Sequence, residues 1–153
     1  MKEKHILPPE RQAALLDRVQ VGTLATVKPD GSPYAVPVHF VYLGDKIYIH
    51  AGPHGQKYEN LLQNSRVSFS VWEMAGYGGM DNAEPCKTGT RYESVILSGT
   101  ARVADDSALK RSVLRAFAEK YTPDKDAGNI PDSAVERTCV IEIMGSRTGK
   151  VRQ

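Results

Sequence analysis

The chain has 153 residues, which at roughly 100–200 residues per domain predicts a single domain over residues 1–153. Hydrophobic residues make up 41% and charged residues 25%, the balance of an ordinary soluble protein. The 20 Lys and Arg against 18 Asp and Glu give a formal charge of +2, which argues against a dedicated nucleic-acid binder because neutralising phosphates needs a basic excess.

Other classes of protein are disfavoured by features that the sequence lacks. No apolar run approaches the roughly 18 residues of a membrane helix, and the start, MKEKHILPPE, has no apolar signal stretch. The two cysteines, Cys86 and Cys139, lie outside CxxC spacing, which is typical of free thiols in a cytosolic protein. No His, Cys and Asp grouping has metal-ligand spacing. We therefore expect a cytoplasmic protein with neither a membrane segment nor a metal site.

Along the chain, short helices alternate with strands of period two. Helices are predicted over residues 9–18, 56–64 and 107–121, where apolar residues recur at helical spacing. Six segments in which apolar and polar residues alternate are predicted strands: residues 21–27, 33–42, 47–51, 66–72, 91–103 and 138–144. Tight turns join most of them, which favours a six-stranded antiparallel sheet curled into a barrel, with helices at its edges. The predicted class is a β-rich α+β fold.

One connection is unusually long for a compact domain. Residues 73–91 are rich in glycine, and loops of this length are often lids or binding loops. The alternative is a surface excursion without a role. Met74, Tyr77 and Met80 would supply its apolar contacts.

The outward face of the predicted sheet carries few charges. Its residues are small, weakly polar or aromatic: Ala35, Pro37, His39, Val41, Tyr48, His50, Ser68, Ser70, Trp72, Ser94, Ile96, Ser98 and Thr100. Since a solvated face would more often show Lys, Glu and Arg, either the helices, a second copy of the chain or a flat ligand covers it. A barrel of about six strands has no room for a large cofactor inside, so such a cofactor would bind in a groove completed by a partner subunit.

The stretch IYIHAGPHGQKYENL carries most of the candidate chemistry. A strand ends near His50, and a helix begins close to Gly55, Gln56 and Lys57. The first turn of a helix presents free N–H groups and the positive end of the dipole, so with Lys57 it suits a phosphate group. An exposed helix cap without a ligand has the same pattern.

Two histidines lie on the outward face near this junction. His50 could donate a proton to a substrate, contact the edge of a ring or ligate haem iron. A half-buried histidine bonded to a backbone carbonyl is the alternative without function. His39 lies on the preceding predicted strand, so we expect the two to be neighbours across the sheet.

Four segments in this order carry a resemblance to a known family: GTLATVKPDGSPYAVPVHFVY, IYIHAGPHGQKYENLLQNSRVSFSV, CKTGTRYESVILSGTARV and the final TGK. The chain resembles the flavin-binding split-barrel superfamily typified by pyridoxamine 5′-phosphate oxidase. Within it, the chain is most similar to the nitroimidazole-resistance branch.

The resemblance implies a homodimer that holds FMN in grooves between its subunits. It implies that one strand lines the flavin ring, that a turn binds the phosphate, and that a polar residue reaches the flavin from the other subunit. The residues at the matching positions are Val36, Pro37, Val38 and His39 for the ring, His50 and Ala51 beside the cofactor, Gly55, Gln56 and Lys57 for the phosphate, and Ser94 from the partner. Relatives carry an arginine where Gln56 stands, which predicts a weaker hold on phosphate.

The function implied is that of a cytoplasmic FMN-dependent oxidoreductase. Reduced NAD(P)H would load the flavin, which would pass electrons to a small planar acceptor such as a nitro-aromatic, with His50 as the catalytic proton donor. A non-enzymatic dimer that binds haem or flavin for storage or sensing is the second hypothesis, and a barrel without a ligand is the third.

Overall fold

The computed structural model describes residues 5–153, which form four α-helices and one sheet of seven strands. In chain order the elements are α1 Pro9–Arg18, β1 Val21–Val27, β2 Pro33–His39, β3 Val41–Leu43, β4 Lys46–Ala51, α2 Gln56–Gln63, β5 Arg66–Gly78, β6 Gly89–Ala104, α3 Ser107–Tyr121, α4 Asp132–Arg137 and β7 Cys139–Arg152. The β-rich α+β class and the three predicted helices are confirmed. The short α4 was not predicted, since six residues are too few to show a helical period.

The sheet has seven strands and not the predicted six, because the predicted strand over residues 33–42 breaks at Phe40. The ring of Phe40 is fully buried, and its backbone N–H and C=O both bond the hydroxyl of Tyr121 instead of a neighbouring strand. The strand order is β2-β1-β5-β6-β7-β4-β3, with every pair antiparallel. β2 and β3 are therefore consecutive in the chain but lie at opposite edges, and the sheet is not closed. We call the gap between them the split.

The loop predicted over residues 73–91 is shorter in the structure, because residues 73–78 and 89–91 belong to the strands β5 and β6. β5 and β6 continue their pairing through it as far as Gly78 and Gly89. A bulge between Met74 and Gly76 shifts the register, and Gly76 has φ of 113°, a conformation that favours glycine. The bulge interrupts the period of two that identifies a strand in sequence. Residues 79–88 remain outside the sheet as the connection between the two strands.

The main core lies between the inner face of the sheet and two helices. Helix α1 buries Leu15 and Leu16 there, and α2 buries Leu61. They lie in one cluster with inner-face residues of the sheet such as Phe69 and Ile141. Among residues 5–153, none of the helices combines the length and the apolar character that crossing a membrane requires.

The outer face of the sheet is divided into a covered and an exposed half. α3 packs Val113 and Phe117 on Tyr48 of β4 and Val140 of β7, so a helix covers this half, as one of the sequence alternatives held. On β5 and β6 large outer side chains stay exposed instead, with Trp72 at 63% and Ile96 at 46% of their full accessible surface.

A buried carboxylate lies in the covered half. Glu142, only 1% exposed, accepts hydrogen bonds from Tyr48 Oη at 2.9 Å and Arg102 Nε at 2.7 Å, and Lys46 Nζ lies 3.4 Å away. Burial opposes the ionisation of Glu142, but the bonds from Arg102 and Tyr48 and the charges of Arg102 and Lys46 outweigh it and lower its pKa. Burial and the bond to Glu142 raise the pKa of Tyr48 to about 12. The cluster joins β4, β6 and β7 beneath α3.

Replacing Glu142 by Gln should lower the free energy of unfolding by about 1–3 kcal/mol at neutral pH, because the bonded partners lose their charged acceptor. The lowered pKa means that this contribution is present above the ordinary carboxyl pKa and is lost as pH falls through the folded value. The difference between wild type and E142Q in urea denaturation should therefore shrink on acidification. E119Q, an exposed carboxylate on α3, is the control, and a difference independent of pH would contradict the assignment.

Candidate functional site

The junction between β4 and α2 forms an open helix terminus. Gly55 precedes the first residue of α2 and has φ of 98°, which favours glycine, while a Cβ there would meet nothing within 4 Å. Glycine is thus required by backbone conformation and not by lack of space. No side chain caps the helix, so the N–H groups of its first turn are available to a ligand. The predicted helix start at Gly55, Gln56 and Lys57 is confirmed, and its binding of phosphate stays a prediction.

The side chain of Gln56 is held within the protein. Its amide Nε2 donates to Asn60 Oδ1 at 2.8 Å, and Asn60 Nδ2 in turn donates to Thr26 Oγ1 of β1 at 2.9 Å. Asn60 is fully buried, so these bonds fix the angle at which α2 leaves the sheet. The sequence analysis missed Asn60 and Thr26. The signal for them was Asn60 itself, a polar residue four positions after Gln56 on the apolar side of the predicted helix.

The two histidines are joined by aromatic rings of α3. The imidazole of His39 stacks on Tyr121 with centroids 4.5 Å apart and planes 22° apart. The imidazole of His50 meets Phe117 edge to face at 4.3 Å and 89°, and Phe117 and Tyr121 stack at 5.5 Å. We call these four residues the histidine–aromatic row.

The row corrects the predicted relation between the histidines. β2 and β4 do not pair, so His39 and His50 are not neighbours across a pair of strands. They come together across the split because α3 lies over both ends. Both are on the outward face, as predicted, and both are exposed.

The environment of His50 favours its neutral form. Although part of the imidazole is exposed, the protein packed on its other side, including Phe117, removes water from it and lowers the pKa of His50. The nearby charges of His39 and Lys57 lower it further. A neutral imidazole carries one N–H donor and one free lone pair. The effect of Lys57 means that the start of α2 lies within electrostatic range of His50.

The ring-lining segment lies on an edge strand. Val36 and Val38 pack half-buried against the main core, while Pro37 and His39 are exposed, as the sequence predicts. β2 pairs only with β1, so alternate N–H and C=O groups on its other side are not used by the sheet. Ala51, at the end of β4, is half-buried.

Ser94 lies apart from these residues within one protomer. Its strand, β6, is three strands from β2 in the sheet, roughly 14 Å at the usual strand spacing. Ser94 pairs with Trp72 and Lys150, and it lines an open groove of about 460 Å³ with aromatic and methionine side chains. The other lining residues are Trp72, Met74, Tyr77, Thr90 and Tyr92. Within residues 5–153, no group of three or more His, Cys, Asp or Glu side chains is placed to hold a metal ion.

The proton affinity of His50 can be tested directly. Its NMR titration midpoint should lie below the ordinary value of 6.5, and K57A should raise it because a like charge is removed. Since the unfolded state binds the proton more tightly, His50 should make the fold less stable as pH falls through that ordinary value. K125A, an exposed lysine outside the site, should leave the midpoint unchanged. A midpoint at or above 6.5 would be evidence against this environment.

Comparison with known proteins is consistent with this fold. The chain is similar to a candidate 5-nitroimidazole antibiotic resistance protein from Bacteroides thetaiotaomicron, with 28% identity over 96% of this chain and 86% of that one, and a TM-score of 0.80. A FAD-binding protein from Mesorhizobium loti is 26% identical over 96% of both chains, with a TM-score of 0.68. A FAD- and haem-binding protein from Mycobacterium smegmatis shares the fold, with 24% identity over 99% of this chain and 74% of that one, and a TM-score of 0.80.

No curated protein matches the chain significantly. The sequence model of one family, described as Pyridoxamine 5′-phosphate oxidase, matches residues 8–146, which is nearly the whole chain. The resemblance drawn from the sequence motifs is thereby confirmed: the chain belongs to the pyridoxamine 5′-phosphate oxidase family.

Proposed function

We propose that the protein is an FMN-dependent oxidoreductase that reduces a small planar acceptor and works as a homodimer. The observation that carries the proposal is the grouping of three features: an uncapped helix terminus with Lys57, the histidine–aromatic row within its electrostatic range, and the free edge of β2 that ends at His39. The flavin-binding relative from Mesorhizobium loti supports the choice of a flavin.

The phosphate end of FMN fits the start of α2. The N–H groups of the first turn and the helix dipole attract an anion, and the open space at Gly55 lets it approach the backbone. Glu59 in the same turn opposes this attraction, and the Gln56 amide is bonded to Asn60. Lys57 is therefore the side chain on which phosphate binding depends most.

The ring end of FMN fits the edge of β2. The polar side of an isoalloxazine carries both hydrogen-bond donors and acceptors, and the unpaired backbone of an edge strand offers the complementary groups. Pro37 lacks an N–H, so only its carbonyl contributes. The ring would lie near His39 and His50.

When bound, FMN supplies the redox chemistry, with NAD(P)H as its reductant. The role of the chain is to orient the acceptor and to provide a proton. The His50 imidazolium would donate its ring N–H proton to the reduced acceptor, and a lowered pKa makes it a stronger acid, although fewer molecules carry the proton at neutral pH.

The homodimer is supported by the exposed half of the outer face. Trp72, Tyr77 and Ile96 are each about half exposed or more, and a monomer rarely leaves such an apolar patch open. A second copy on this face would bring the groove at Ser94 towards the flavin held by its partner. The resemblance to the family likewise implies that Ser94 reaches the flavin from the other subunit.

Lys57→Ala should weaken FMN binding about tenfold or more, because a charged contact to the phosphate is lost. K125A changes the net charge equally at an exposed position outside the site and should bind FMN like the wild type. Quenching of flavin fluorescence measures both affinities. Equal FMN affinity of K57A and the wild type would rule out the assigned phosphate site.

A dimeric haem- or flavin-binding module without turnover is the second candidate function. It is favoured by the position of His50, whose exposed imidazole lies beside Phe117 and whose lowered pKa favours the neutral form that ligates iron. The colour of the purified protein separates the two cofactors, since flavin is yellow and haem is red-brown. Identification of the cofactor released by denaturation distinguishes FMN from FAD.

A further inference from the structure

We propose that Tyr121, the last residue of α3, is a positioning residue of the site. Its hydroxyl holds the backbone at the split, and its ring orients His39. The proposal rests on the proposed function, because it matters for binding only if β2 and His39 meet the cofactor.

The hydroxyl of Tyr121 bonds three backbone groups from two segments of the chain. It accepts the N–H of Phe40 at 2.9 Å, and its hydrogen is shared between the carbonyl oxygens of Phe40 and Gln20, each at 2.7 Å. Phe40 separates β2 from β3, and Gln20 precedes β1. One side chain thus supplies the hydrogen bonds that the interrupted strand lacks.

The carboxyl end of β2 is paired on one side only, where His39 lies opposite Val21 of β1. β2 pairs on one side with β1 and on the other with no strand. Next to His39, the ring of Phe40 anchors the chain in the core through an edge contact with Phe69 at 4.9 Å. The bonds to Tyr121 fix the backbone of Phe40 itself, and so they restrain the last residue of β2, His39, from the side that the pairing with β1 does not reach.

The ring of Tyr121 stacks on His39, and through Phe117 it is connected to His50. Phe117 and Tyr121 are four residues apart and so lie on one face of α3. Tyr121 covers one face of the His39 imidazole, and Phe117 meets that of His50. A helix outside the sheet therefore aligns two side chains from strands that do not pair. Burial raises the pKa of Tyr121, which keeps the hydroxyl protonated as these bonds require.

The test separates the hydroxyl from the ring. Y121F removes only the hydroxyl, and Y121L removes the ring as well. Y42F is the matched control, since Tyr42 also has a bonded hydroxyl, to Asp45 and Arg147, away from the row. Each variant is studied first without flavin, by amide hydrogen exchange and by the imidazole resonances of His39, and then by titration with FMN.

In Y121F, exchange at the Phe40 amide should rise about tenfold relative to the core amides of Ile141 and Ile143, because its acceptor is lost. The ring-current shift of His39 should persist in Y121F and disappear in Y121L. FMN affinity should fall about tenfold in Y121F, and Y42F should behave as the wild type in all three measurements.

Unchanged exchange at Phe40 in Y121F, together with unchanged His39 resonances in Y121L, would overturn the proposal. So would wild-type FMN affinity in both variants. If the wild type itself binds no flavin, the proposed function fails, and the measurements without flavin alone decide whether Tyr121 positions His39 and the split.

Discussion

The break in the backbone at Phe40 is the constraint on which the rest of the site depends. Because the Phe40 ring is buried and its N–H and C=O bond Tyr121, a continuous strand becomes two that form opposite edges of one sheet. The break leaves the backbone of β2 free on one side. It also opens the split that α3 spans. The free edge of β2 and the contacts of α3 with His39 and His50 therefore both depend on this break.

The site combines a weakly charged surface with a small number of strong directional groups. Lys57 and the uncapped terminus of α2 supply positive potential at one end, and β2 supplies neutral backbone donors and acceptors at the other. His50 has Lys57 and His39 as its charged neighbours, and their charges together with the loss of water around the imidazole lower its proton affinity. This arrangement suits a ligand with an anionic tail and a flat, polar-edged ring.

The sequence predicted the fold well where periodicity is regular. Alternation of apolar residues identified the strands that flank the core, and the order Gly55, Gln56 and Lys57 identified the start of α2. It failed at Phe40, where the pattern of a strand continues through residues 33–42 although the strand breaks because of Tyr121, 81 residues away. The sequence also failed to predict how far β5 and β6 extend, because the bulge at Gly76 interrupts the alternation of side chains that identifies a strand. Both errors come from contacts or backbone geometry that local patterns do not contain.

The central claim is that the start of α2 holds the phosphate of FMN, and comparison of FMN with riboflavin tests it most directly. The two ligands share the ring and differ in the phosphate. The account predicts that the wild-type protein binds FMN about 10–100-fold more tightly than riboflavin, as expected for one or two charge-assisted hydrogen bonds to the phosphate. Equal affinity for the two ligands would contradict it.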